Sequence, residues 1–166
     1  MDRKPEMNLA AANRAGAVAF ADIAEHSPWV AEHAFRDAPF DTREEMIAAF
    51  TMAVHHADPA DQRALLCAHP DLATRAKLTA DSTHEQKGAG LDTLTPQEFA
   101  RFTELNTAYK SKNRFPFIFA VKGATKHQIL AGFEARIAND SETEFATAIE
   151  QVCRIIRFRL EERVRE

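Results

Sequence analysis

The sequence predicts an all-α fold, an irregular bundle of about eight helices in a single domain over residues 1–166. Apolar residues recur at the three- and four-residue spacing of helices, whereas the period-two alternation of half-buried strands is scarce. Four predicted helical segments open with Ser or Thr followed three residues later by Glu, a pattern that starts helices because each side chain binds a free backbone N–H. The chain of 166 residues, 45% of them hydrophobic, is long enough for one ordinary core.

These start signals place the helices in order along the chain. Asp58-Pro59 and Thr95-Pro96 each put a capping residue before a proline, whose fixed φ and missing N–H suit the first turn. The four pairs are Thr42 with Glu45, Ser82 with Glu85, Thr95 with Glu98, and Ser141 with Glu144. The predicted helices cover residues 14–25, 28–35, 43–57, 59–68, 83–89, 96–112, 126–138 and 142–165.

Residues 115–121 depart from the helical pattern. Pro116 and an unbroken apolar run follow directly on a polar helix end, so the segment is predicted to be a short strand or a buried loop. Backbone N–H and C=O groups that leave water need partners. A buried loop here would either pair with neighbouring helix ends or bind a polar ligand.

Composition excludes several classes of partner. A net charge of −4 and a pI near 6.0 argue against nucleic acid, which favours a basic surface. The N-terminus has no apolar core of a signal peptide, and no apolar run approaches membrane-spanning length. Two cysteines are too few for a disulfide framework and suit a reducing compartment. We therefore expect a cytoplasmic protein whose partner is a small molecule, with no nucleic acid and no membrane.

His69 differs from the other histidines because Pro70 follows it. The proline disfavours helical backbone at His69, so the preceding helix should end there. A helix C-terminus stabilises imidazolium, which would keep a proton ready for transfer to a substrate. The alternative is that His69 only caps the last carbonyls of that helix.

The sequence lacks metal-binding spacing. It contains no HExxH motif, and the adjacent His55 and His56 project from different helix faces. A zinc or iron site would have to be assembled without a motif from His69, Asp71, His84 and Glu85. We therefore expect no metal.

Glu85 and Arg159 are the remaining candidates for chemistry. Ser82 and Glu85 form one of the four capping patterns, but Gly88-Ala89-Gly90 follows them, and such small residues allow a ligand to come close. Arg159 and Arg163 lie on or beside the apolar stripe of the last helix, where a cation requires an anion. That anion is either a protein carboxylate, such as Glu85 or Asp71, or a carboxylate of the substrate.

Five blocks of sequence carry a resemblance to a known family. They are Glu25-His26-Ser27-Pro28-Trp29-Val30-Ala31-Glu32, His69-Pro70-Asp71-Leu72-Ala73, Ser82-x-x-Glu85-Gln86-x-Gly88-Ala89-Gly90-Leu91, Leu105-Asn106-x-Ala108-Tyr109 and Phe115-Pro116-Phe117-Ile118. In order and spacing they resemble the 2-oxo-4-hydroxy-4-carboxy-5-ureidoimidazoline (OHCU) decarboxylases over nearly the whole chain. The resemblance implies an all-α homodimer without a cofactor that converts OHCU, a late intermediate of urate oxidation, to (S)-allantoin and carbon dioxide in purine breakdown.

The resemblance also implies the site. Position by position, His69 matches the catalytic histidine and Glu85 its partner. The implied substrate contacts are Pro70, Ser82, Glu85, Gln86, the backbone of Phe117, Ile118, Phe119, Ala120 and Val121, and Arg159. One departure is Asn113-Arg114, where the family usually has Phe-Gly. We expect the loss of this glycine to be tolerated only if Arg114 adopts an ordinary backbone conformation, because glycine alone is free of the cost of a left-handed one.

The substrate explains why no cofactor is expected. OHCU carries a ring C=N conjugated to the carbon that loses carboxylate, so the protein need only orient it and manage protons. We expect Arg159 and Ser82 to position the anion, Glu85 to bind N–H groups and hold His69, and His69 to relay the proton. Two alternatives are a metal-dependent hydrolase on the same helices and a non-catalytic helical interaction module, which would expose a large apolar patch.

Overall fold

The computed structural model describes residues 3–74 and 78–166, and these are mainly helical. Two short 3-10 helices, Ala17–Phe20 and Phe35–Asp37, and one two-residue parallel pair, β1 (Met7–Asn8) with β2 (Val164–Arg165), accompany the α-helices. The α-helices within the described ranges are α1 (Leu9–Ala15), α2 (Trp29–Ala34), α3 (Arg43–His55), α4 (Pro59–Cys67), α5 (Ala80–Gly88), α6 (Pro96–Asn113), α7 (Lys126–Arg136) and α8 (Ser141–Arg163). The all-α prediction is confirmed.

Helix α8 organises the core. It packs against α3, α4 and α6, and its buried face includes Val152, Ile156 and Leu160. Arg159 and Arg163 are also buried, as the helical periodicity predicts. In the part of the chain that the structure describes, no helix is long and apolar enough to cross a membrane.

The first predicted helix, residues 14–25, is wrong in its bounds. Helix α1 begins at Leu9 after Asn8, whose side chain accepts a hydrogen bond from the Ala11 amide, and it ends at Ala15. Gly16 follows with φ of +74°, a left-handed backbone value that stops the helix, and a 3-10 helix continues the chain. The apolar residues that suggested one helix are thus shared between α1 and the 3-10 helix Ala17–Phe20.

Two of the four capping predictions are also wrong. Thr95 and Glu98 form a complete capping box, and Thr42 caps α3. By contrast, Thr79 caps α5 by accepting from the Ser82 amide at 3.2 Å, and Asp140 caps α8. In both cases an extended residue with a side-chain oxygen precedes the predicted cap. The Ser82…Glu85 and Ser141…Glu144 pairs therefore lie within their helices, and neither serine is the cap.

Residues 115–121 form a buried loop with no regular secondary structure, one of the two predicted outcomes. The ring of Phe117 stacks on Phe133, with centroids 3.8 Å apart, and Arg136 donates to the Ile118 carbonyl at 2.6 Å. Arg114 precedes the loop with φ of +66° and ψ of +23°. The expectation that Arg114 needs an ordinary backbone conformation was wrong, because this residue ends α6 in the left-handed region where the family's glycine would stand.

Candidate active site

A small cavity opens where the end of α4, one face of α5, the buried loop and α8 meet. Its free volume is about 30 Å³, roughly the share of one water molecule in the liquid, so a larger ligand must separate the lining side chains. The lining residues are His69, Pro70, Leu72, Ser82, Glu85, Gln86, Phe117, Ile118, Phe119, Val121, Ile155 and Arg159. Of the predicted site residues, the structure leaves Ala120 outside this lining, and its amide donates to Gln151 Oε1 at 2.9 Å. Leu72 and Ile155 are apolar walls that the sequence did not identify.

His69 lies at the end of α4 with its ring turned back on the helix. Its Nδ1 is 2.8 Å from the Leu65 carbonyl oxygen. Because a carbonyl can only accept, Nδ1 must carry the proton, and Nε2 of the neutral ring is left as an acceptor. His69 thus does cap a carbonyl of α4, as the alternative interpretation holds, while its ring also lines the cavity.

The protonation expected for His69 is wrong. Burial lowers the pKa of His69 to about 4, although the Glu25 carboxylate and the Leu65 carbonyl act in the opposite direction. The ring is therefore neutral near pH 7. The expectation rested on the helix C-terminus, whose effect is typically below about 1 kcal/mol, and desolvation of a buried charge outweighs it.

Glu85 of α5 forms an ion pair with Arg159 of α8. Arg159 Nε donates to Glu85 Oε2 at 2.8 Å and Nη2 donates to Oε1 at 2.9 Å, a bidentate arrangement. Burial opposes the charge of Arg159, but Glu85 and Glu25 outweigh it and raise the pKa of Arg159. The sequence analysis left two partners open for Arg159, a protein carboxylate or a carboxylate of the substrate. The structure shows a protein carboxylate, that of Glu85. Asp71 instead pairs with Lys110 at 2.7 Å, and within the described chain no hydrogen bond joins Glu85 to His69.

Glu25 belongs to the same cluster and was missed as a site residue. Its side chain is 1% exposed, and Oε1 accepts from Ser82 Oγ at 2.5 Å, from Arg159 Nη2 at 2.7 Å and from Thr79 Oγ1 at 3.0 Å. Burial acts to raise the pKa of Glu25, but the charge of Arg159 and the Ser82 hydrogen bond lower it on balance. The signal available in the sequence was its position in the first of the five blocks.

Gln86 fixes the loop that follows His69. Its Oε1 accepts from the Ala73 amide at 3.0 Å, and its Nε2 donates to the Asp71 carbonyl at 3.4 Å. Asn106 donates to the Leu72 carbonyl at 2.9 Å. These amide groups hold the wall of the cavity, and Asn106, which lies in the fourth block, is a second residue that the site prediction omitted.

The geometry gives no support to the two alternative functions. Within residues 3–74 and 78–166, no three His, Cys, Asp or Glu side chains stand where they could hold a metal ion. Over the same ranges the large hydrophobic side chains that are exposed are Val18 and Met52, which is little for a docking surface.

Comparison with known proteins matches the chain to one family. The model of that family, described as OHCU decarboxylase, matches residues 10–161. The chain belongs to the OHCU decarboxylase family. It is 42% identical over 145 residues to the 2-oxo-4-hydroxy-4-carboxy-5-ureidoimidazoline decarboxylase of Haloferax volcanii, covering 87% of this chain and 86% of the relative. It is 33% identical over 147 residues to the enzyme of that name from Amia calva, covering 86% and 84%.

A longer relative and two solved structures are also similar to this chain. The uric acid degradation bifunctional protein PucL of Bacillus subtilis is 40% identical over 144 residues, and the match covers 87% of this chain but 29% of PucL. A crystal structure of (S)-allantoin synthase superposes with a TM-score of 0.75 at 35% identity, covering 94% of this chain and 52% of the other. This chain therefore spans about half the length of that protein. An OHCU decarboxylase crystal structure at 22% identity, with a TM-score of 0.72, shares the fold and covers 85% of this chain and 94% of its own.

Proposed function

We propose that the cavity between α4, α5, the buried loop and α8 decarboxylates OHCU to (S)-allantoin. The observation that carries the proposal is the convergence of a neutral histidine and an arginine-bound glutamate on one cavity, at the positions that match the family. The names of the relatives from Haloferax volcanii and Amia calva support the same reaction.

The polar groups of the cavity suit a substrate that is both an anion and rich in N–H groups. The Glu85 side chain is 20% exposed, and its oxygens keep acceptor capacity beyond the Arg159 bonds. Among the described residues, no acceptor faces the backbone amides of Ile118, Phe119 and Val121. In the proposed complex Glu85 accepts from ring or ureido N–H groups, and the free amides bind the anionic oxygens. Arg159 and Ser82 act by holding the two glutamates.

The reaction needs one electron sink and one proton relay. The C4 carboxylate leaves as carbon dioxide, its bonding electron pair forms a C4=C5 double bond, and the former C=N nitrogen takes up a proton from solvent, which is the one proton that the overall reaction consumes. The resulting enol loses its hydroxyl proton as C5 gains one. The Nε2 acceptor of neutral His69 takes the hydroxyl proton and delivers it to one face of C5, which yields a single enantiomer.

The proposal also covers the setting of the enzyme. Residues 1–166 work as one domain, a homodimer in the cytoplasm, without nucleic acid or membrane as partner. The net charge of −4 supports the absence of a nucleic-acid partner, and the two free thiols, Cys67 and Cys153, suit a reducing compartment. Sedimentation analysis of the purified protein tests the dimer, and a monomer at micromolar concentration would contradict it.

Circular dichroism of freshly oxidised urate tests the activity. Added protein should give the signal of (S)-allantoin, whereas spontaneous decay gives the racemate. His69→Ala should lower this rate by about 10²–10⁴-fold. His127→Ala, which removes an exposed histidine on α7, is the matched control and should match the wild type. Formation of (S)-allantoin by His69→Ala at the wild-type rate would refute the assignment.

A further inference from the structure

The two oxygens of the Glu25 carboxylate have different surroundings: one accepts several hydrogen bonds, and the other has no hydrogen-bond partner among the described residues. Its Oε1 receives three hydrogen bonds, from Thr79, Ser82 and Arg159. Its Oε2 is buried, and no donor within the described residues reaches it; His26 Nε2 stands 4.0 Å away. An unpaired oxygen on a buried carboxylate is costly, so its retention calls for a compensating role.

We propose that Glu25 is a positioning residue of the decarboxylase, which fixes Ser82 and Arg159 through one oxygen and stabilises protonated His69 with its charge during the proton relay. The inference rests on the function proposed above. Glu25 does not line the cavity, so it acts through the residues that do.

The charges around His69 favour the uptake of one proton. The groups whose charges act on it most strongly are Glu25 from the turn before α2, Arg159 from α8, and His26 beside Glu25. Glu85 of α5 lines the same cavity. With His69 neutral, the carboxylates of Glu25 and Glu85 oppose the guanidinium of Arg159, and the excess is a single negative charge. A proton on His69 cancels this excess, so the cluster stabilises the imidazolium that the relay forms for a moment.

Glu25 suits this role better than Glu85. Both oxygens of Glu85 are bound by the Arg159 fork, and its side chain is 20% exposed, so water screens its charge. Glu25 is 1% exposed and has a free oxygen. Its attraction for a proton on His69 raises the pKa of that ring, against the larger effect of burial and the smaller effect of the Arg159 charge.

Glu25→Gln tests the inference, because it removes the charge and keeps an oxygen for Ser82 and Thr79. We expect kcat for (S)-allantoin to fall by about 10-fold, which corresponds to one unit of pKa, with KM changed less than about 3-fold. The apparent pKa of the acid limb of the kcat profile should fall by on the order of one unit. Glu25→Asp, which restores the charge, should recover part of both losses.

An NMR titration of His69 separates this inference from the proposed function. Its signal is identified as the one that is missing in His69→Gln, and its pKa should be lower in Glu25→Gln than in the wild type even if the protein has no decarboxylase activity. Asp22→Asn removes a carboxylate from the same turn and should leave the pKa of His69 unchanged. If Glu25→Gln does not fold, Ser82→Ala is compared with the wild type instead. In Ser82→Ala the pKa of His69 should equal the wild-type value, because the Glu25 charge is retained. An unchanged pKa of His69 in folded Glu25→Gln, or a large fall in Ser82→Ala, would overturn the proposal.

Discussion

Replacing Arg159 should damage stability and activity together. Its side chain is 3% exposed, and it donates to Glu85, Glu25 and the Ile23 carbonyl. Arg159→Ala leaves the Glu25 carboxylate buried without its counter-charge. Removing one partner of a buried ion pair costs about 3–5 kcal/mol, so the free energy of unfolding should fall by that amount.

Arg159→Lys separates charge from geometry. Lysine keeps the positive charge but presents a single ammonium in place of the planar fork, so the bidentate grip on Glu85 is lost. The cost in unfolding free energy should be about 1–3 kcal/mol, the range for hydrogen bonds to charged groups. A shifted Glu85 should lower kcat/KM by on the order of 10²-fold, since small misplacements of a binding group have effects of that size.

Urea unfolding and the circular dichroism assay measure both effects. Arg157→Ala is the matched control, because Arg157 lies on the same helix and pairs with the exposed Glu44, and its unfolding free energy should stay close to wild type. The reasoning is refuted if Arg159→Ala unfolds within about 1 kcal/mol of the wild type, a value typical of exposed ion pairs. Wild-type kcat/KM in Arg159→Lys would refute the geometric part alone.

Three further predictions concern backbone strain, pH and the cavity wall. Arg114→Gly should raise the unfolding free energy by about 0.5–1 kcal/mol in urea, because φ of +66° strains any residue but glycine, and a loss of stability would contradict this. Because the folded pKa of His69 lies below its ordinary value, the unfolded chain binds the extra proton, so stability should fall as pH drops from about 6.5 to about 4. His69→Gln should flatten this part of the stability profile, and an unchanged slope would refute neutral burial. A Cβ at Gly132 would lie 2.9 Å from Phe119 Cε2, so Gly132→Ala should displace this ring from the cavity wall and raise KM, measured by the allantoin assay, while an unchanged KM would exclude the Phe119 ring from substrate contact.

The local sequence pattern predicts side-chain direction and helix starts correctly where these depend on a residue's position in its own helix. The inward direction of Arg159 and Arg163 follows from periodicity, and proline positions locate the starts of α4 and α6. Ser82 and Glu85 were noticed as a capping box, although Thr79 caps the helix. Residues three apart also share one face of a helix, so the same spacing fits a site, and sequence alone cannot choose between the two.

The features that the sequence did not reveal depend on distant partners. Glu25 is held by Arg159, 134 residues further along the chain, and no local pattern marks a buried carboxylate. The neutral state of His69 arises from burial by segments that are far apart in sequence, whereas the helix end visible in the sequence favours the charged state. Arg114 shows the same limit for the backbone, because the chain adopts a left-handed conformation at a residue other than glycine, and no local pattern marks it.

The contacts of Arg159 indicate which groups bind the substrate in the proposed reaction and which groups hold other side chains in place. An arginine bound to two carboxylates has little capacity left for a substrate anion, so binding of the anion passes to the backbone amides of the buried loop. Arg159 instead holds Glu85 and Glu25 together, and its charge lowers the pKa of the buried Glu25 carboxyl. One carboxylate then faces the N–H groups of the substrate, and the other compensates the proton that His69 carries. The protein thereby supplies acceptors, donors and a proton carrier around a substrate that brings its own electron sink.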